Sequence, residues 1–83
     1  PNPFNPITTL RYDLPENSLV NIIIYDLLGR QVRTLINQTQ DAGFKSVIWD
    51  ATNDYGKPIS AGMYFYKIRA GEFTQTRKML LLK

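Results

Sequence analysis

The chain has 83 residues, 43% of them hydrophobic and 20% charged, with no histidine and no cysteine. That length allows one small core and not two. The composition excludes a disordered chain, a disulfide framework and the usual structural zinc site, so stability has to come from packing. The net charge of +3 is uneven: residues 1–56 carry four basic and six acidic groups, residues 57–83 six and one.

The first six residues, PNPFNP, hold three prolines around Phe4. Proline fixes its own φ, lacks a backbone donor and pushes its neighbour out of the helical region, so residues 1–6 are expected to be a stiff lead-in and residues 7–83 the folded domain. In ITTLRYDL, Leu10, Tyr12 and Leu14 alternate with polar residues and predict a strand with one wet face, stopped at Pro15. SLVNIIIYD repeats the pattern with Val20, Ile22 and Ile24 in one register and is the expected central strand. DLLGRQVRTL supplies Gly29 for a turn and predicts a second, short strand with Val32 inward.

FKSVIWD places Val47 and Trp49 on one face, and ATNDYGKP collects the residues that build tight turns. MYFYKIRA puts Tyr64, Tyr66 and Ile68 on the expected buried face, with a hairpin at residues 70–72 and FTQTRKMLLLK as the return strand. Six or seven strands with no helical period predict an all-β, immunoglobulin-like antiparallel sandwich of about seven strands. The expected core is Ile22, Ile24, Val47, Trp49, Tyr64 and Tyr66.

Chemistry is hard to place on this chain. With neither His nor Cys, and with Glu16, Asp41 and Glu72 in expected turns, no nucleophile and base or acid and base pair is assembled, so no catalytic residue and no cofactor is assigned. The glycines are scattered singly and build no phosphate loop. Asp50, Asn53 and Asp54 would be the ligands if DATNDYG held calcium. However, the third loop position is Thr52 and the twelfth, where a bidentate Glu belongs, is Ala61, so the segment reads as a turn. Trp49, Tyr55, Tyr64 and Tyr66 could form a sugar platform, but all except Tyr55 are better placed in a core. Lys67, Arg69, Arg77 and Lys78 fit solvated strand faces and a charged edge better than a nucleic-acid surface. No apolar run approaches the length of a membrane span, so no stable membrane insertion is expected.

One stretch breaks the rule of alternation. In KMLLLK, Met79 and Leu81 facing inward would force Leu80 and Leu82 outward, and a strand apolar on both faces is either covered or a partner site.

Taken in order, PNPFNPITTLRYDLP, VNIIIYDLLGRQVRTL, AGFKSVIWDATNDYGKPISAGMYFYKIRAG and TRKMLLLK resemble the type A C-terminal sorting domain of the type IX secretion system across essentially the whole chain. YDLLGRQV and WDATNDYGKPISAGMYFY are also similar to the related immunoglobulin-like domain of the flagellar hook-capping protein. The two ends, PNPFNP and the lysine-bracketed apolar strand, favour the sorting domain.

The resemblance implies a single domain cut from a longer secreted protein, with PNPFNP as its boundary and Phe4 against the rim. It implies an address for an upstream passenger, which crosses the periplasm and outer membrane of a Gram-negative bacterium to be secreted or held on the cell surface. Cleavage would fall upstream, followed by tethering to surface lipopolysaccharide. The partners would be the outer-membrane type IX machinery, its shuttle and sortase components, met toward the extreme C-terminus by Arg77, Lys78, Met79, Leu80, Leu81, Leu82 and Lys83. The alternative is an immunoglobulin-like spacer or carbohydrate-binding accessory module of a secreted hydrolase.

Overall fold

The computed structural model describes residues 8–83. The lead-in residues 1–6, including Phe4, lie outside the described residues. Six strands follow in order: β1 Thr8–Leu14, β2 Ser18–Tyr25, β3 Gln31–Gln40, β4 Gly43–Trp49, β5 Gly62–Ala70 and β6 Phe73–Leu81. All pairings are antiparallel, and they form a two-stranded sheet, β1-β4, and a four-stranded sheet in the order β3-β2-β5-β6. The expected all-β sandwich is therefore the observed one, with six strands among the described residues.

Alternation decides which side of each strand is dry. Val20, Ile22 and Ile24 are fully buried, and β2 is central, paired to β3 on one side and β5 on the other. Opposite them on β5 stand Ala70, Ile68 and Tyr66. The two-stranded sheet contributes Leu10, Leu14 and Trp49, all below 5% exposure. Burying side chains of this size contributes roughly 1.5–3 kcal/mol each, which is how so short a chain offsets its conformational entropy.

Of the six expected core residues, Ile22, Ile24, Trp49 and Tyr64 are buried, while Val47 and Tyr66 are half-buried and pack against that cluster. The strand after Gly29 is not short. It runs ten residues, and two register shifts against β2, at Ile22/Ile23 and Ile24/Tyr25, insert an extra residue each. Those bulges let Val32, Leu35 and Ile36 all pack on the core although their spacing fits no simple alternation.

Trp49 and Tyr64 lock the sheets together edge to face, with ring centroids 5.8 Å apart at 74°. Both polar tips are satisfied: Trp49 Nε1 donates to the Thr52 carbonyl at 2.9 Å, and the Tyr64 hydroxyl donates to the Ser60 carbonyl at 2.6 Å. A tyrosine at the start of a strand bonding back a few residues upstream is the tyrosine corner of immunoglobulin-like sandwiches. Burial pushes the Tyr64 phenol above its ordinary value, with a smaller push from the Asp26 charge.

Candidate functional site

Two turns carry most of the chain's polar motifs. In YDLLGR the Asp26 carboxylate accepts from the backbone N–H of Leu28 and Arg30, both at 2.9 Å, and from Arg30 Nε at 2.8 Å. The backbone closes as well, through Asp26 N–H to the Arg30 carbonyl and Gly29 N–H to the Asp26 carbonyl, with Gly29 at φ 82°. These bonds, the Arg30 backbone N–H foremost and the Arg30 guanidinium with it, hold the Asp26 carboxyl below its ordinary range. The tip so fixed displays Leu27 and Leu28, 61% and 78% exposed.

In DATNDYG each candidate metal ligand already has a structural use. Asp50 Oδ1 accepts from the Thr52 hydroxyl at 2.6 Å and from its N–H, which lowers the Asp50 pKa. Asn53 Oδ1 accepts from the N–H groups of Tyr55 and Lys57. Asp54 turns outward to the edge of the four-stranded sheet: its N–H donates to the Val32 carbonyl, Oδ1 accepts from Thr34 N–H at 2.8 Å, and Oδ2 accepts from Gln31 Nε2. Asp54 thus acts as one residue of an extra strand on β3, a common way of closing a free edge. The three oxygens diverge onto separate donors rather than converging on one point, which is the geometry of a turn.

The aromatic platform is not assembled. Trp49 and Tyr64 are in the core and Tyr66 is half-buried against it, so Tyr55, 87% exposed, stands alone. Glu16 and Glu72 sit in the β1–β2 and β5–β6 connections, and Asp41 between β3 and β4, all exposed. Glu16 and Glu72 share a groove of about 780 Å3 that opens between β1 and the β5–β6 hairpin, where the smaller sheet stops short of covering the larger one. Its apolar wall includes Leu14, Ile68 and Phe73, the last facing inward yet 58% exposed.

The C-terminal strand lies as its pattern predicts. Met79 stands opposite buried Tyr64, and Leu81 is itself buried. Leu80 and Leu82 point the other way, 58% and 70% exposed. Arg77, Lys78 and Lys83 are exposed, and among the described residues the far edge of β6 has no strand beside it. The seven residues assigned to partner recognition therefore split: Leu81 and, in part, Met79 serve the core, and the other five face solvent.

What the sequence reading did not single out is the outer face next to β6. Outward positions of β2 and β5 place Tyr25 opposite Phe65 and Ile23 opposite Lys67, while Met63 lies opposite Leu80 of β6. The period-2 signal marks each of these positions only as the reverse of the core and does not show that they adjoin one another.

An antiparallel two-sheet sandwich with a tyrosine corner defines an immunoglobulin-like module. The family model described as "FlgD Ig-like domain" matches residues 6–72, and the chain belongs to that family. No curated protein matches it significantly by sequence.

Solved structures that share the fold include two FlgD chains and one much larger chain. FlgD from P. aeruginosa has a TM-score of 0.70 at 24% identity, covering 90% of this chain and 59% of that one. FlgD from Xanthomonas campestris, described in connection with the hook capping essential for flagellar assembly, has a TM-score of 0.71 at 23% identity, covering 93% and 56%. Dimeric latent PorU from Porphyromonas gingivalis has a TM-score of 0.70 at 25% identity, covering 96% of this chain and 8% of that chain. The chain thus spans less than two thirds of each of these proteins, and less than a tenth of PorU.

Proposed function

We propose that the domain is a non-catalytic secretion signal of the type IX kind, which carries an upstream passenger across the outer membrane and is read through residues 77–83. The observation that carries this reading is the end of β6. Leu81 completes the core while Leu80 and Leu82 stay exposed beside Lys78 and Lys83, at the end of a strand whose far edge is unpaired among the described residues. Apolar area gives affinity, the lysines give orientation, and an open edge offers backbone hydrogen bonds to a partner strand. The likeness to a small part of PorU supports a module of this shape working as an appendage of a much larger chain. The partners are then the outer-membrane export components and the passenger, and the destination is the cell surface or the medium, with or without cleavage upstream.

A second reading is favoured by the family match itself: a scaffold module of a larger assembly, as in the FlgD chains. The matched residues end at Glu72, immediately before β6, so the family model covers the fold up to the strand on which the two readings differ. The test is a fusion of residues 1–83 to a folded reporter bearing a periplasmic signal, expressed in a host with type IX machinery. Export of the intact fusion and retention of a variant lacking residues 79–83 supports the signal. Periplasmic retention of the intact fusion leaves the scaffold.

A further inference from the structure

The outward positions of the four-stranded sheet divide into an apolar end and a basic middle. Tyr25, Met63, Phe65 and Leu80 lie together at the end where β2 finishes, β5 begins and β6 finishes, and Phe65 is flanked on β6 by Lys78. Lys67 and Arg69 continue the outward row of β5. The outward positions of these four strands carry three cations and no carboxylate.

Cross-strand packing accounts for the half-buried Tyr25 and Phe65, which face each other, and for the half-buried Met63 opposite exposed Leu80. It does not account for Leu27 and Leu28. They lie just beyond the last β2–β3 pair, at the same end of the sheet, on a turn held by Asp26 and Arg30, and none of the described residues covers them. A rigid turn that spends its tip on two exposed leucines resembles an interface anchor more than a solubilising loop.

We propose that the partner that reads β6 covers this whole end of the sheet, from Leu80 across Met63 and Phe65 to the turn at Leu27 and Leu28. The partner is a polypeptide whose apolar side chains are flanked by carboxylates. Its charge follows from the carboxylate-free face, whose cations favour an acidic surface and repel a basic one. Its polymer class follows from the far edge of β6, unpaired among the described residues, whose alternating N–H and C=O groups are matched by another strand and by no lipid. The inference rests on the secretion-signal reading and widens its footprint.

The test uses the reporter fusion in the export-competent host, with a photo-crosslinking side chain at Leu28, Phe65 or Leu80. Phe44, 90% exposed on the other sheet, is the control position. Expected are crosslinks from all three sites to one outer-membrane export protein, identified by mass spectrometry and absent at Phe44. In the same host Lys67→Glu/Lys78→Glu should slow export about tenfold with an unchanged melting midpoint.

Crosslinks from Leu80 alone overturn the wider footprint and leave the signal reading standing. Crosslinks to lipid assign the face to the membrane surface and overturn the polypeptide partner. Export of the charge-reversed variant within about twofold of wild type overturns the acidic partner. If the unsubstituted fusion stays in the periplasm, both readings fall together.

Discussion

The two faces of the four-stranded sheet are both apolar for part of their length, but for different reasons. On the inner face Val20, Ile22, Ile24 and Tyr64 are buried against Leu10, Leu14 and Trp49, and folding accounts for every one of them. On the outer face Leu80 remains exposed, as do Leu82 beyond the strand and Leu27 and Leu28 in the turn, and no element among the described residues lies over them. Hydrophobicity that folding uses reports the fold; an isolated exposed side chain such as Phe44 reports nothing further, whereas apolar side chains grouped on one face mark a surface that a partner can cover.

Substitution should separate the faces by an order of magnitude in stability. Trp49→Ala removes the ring that packs on Tyr64 and leaves a cavity between the sheets, and should cost about 3–5 kcal/mol, a large share of a small domain's stability. Denaturant melts check this, and a loss below about 1 kcal/mol would mean that the inner face is not the core described here.

Between the faces lies the edge. Asp54→Ala leaves Thr34 N–H without its acceptor on β3 and should cost about 1 kcal/mol, with faster amide exchange at Thr34 as the local signature. Calcium should not raise the melting midpoint of the unsubstituted domain, because the Asp50, Asn53 and Asp54 oxygens point to different donors. A calcium-dependent rise abolished by Asp54→Ala would reinstate the metal site.

A smaller effect comes from pH. Asp26 and Asp50 have folded pKa values below the ordinary 3.8, set chiefly by the Arg30 backbone N–H and the Thr52 hydroxyl respectively. Their contribution is complete above that value and is lost as pH falls through the lower folded values. Tyr12 and Tyr64 have values raised above 10.0 by burial, so their contribution is complete below 10.0 and is lost as pH rises through the higher folded values. The melting midpoint should therefore be flat through neutral pH and fall at both extremes, and a midpoint that climbs on acidification would contradict the Asp26 and Asp50 turns.

Strands with clean alternation were legible in the sequence: β1, β2 and β5 follow Leu10 and Leu14, Val20 through Ile24, and Tyr64 through Ile68 with little correction. β3 was not, because two bulges interrupt the period and make QVRTLINQTQ look like a short strand and a loop. Bulges are fixed by pairing with β2, which no local pattern records. The outward set of Leu80 and Leu82 was readable because its neighbours Met79 and Leu81 fix the parity. The apolar end of the outer face was not readable, since Tyr25, Met63 and Phe65 are far apart in sequence and only the β2–β5–β6 register brings them together. Asp54 as an edge clamp was equally hidden: the sequence marks a turn but not the strand against which it lies.

The central claim is that the outer apolar face serves recognition rather than folding, and Leu80→Ser/Leu82→Ser tests it with least disturbance. Both side chains are mostly exposed, so the variant should melt within about 0.5 kcal/mol of the parent, as ordinary surface substitutions do. With folding so verified, the reporter fusion is followed from periplasm to medium in the type IX host. Loss of export by the folded variant is the predicted result, and export at the parent's rate would contradict the account.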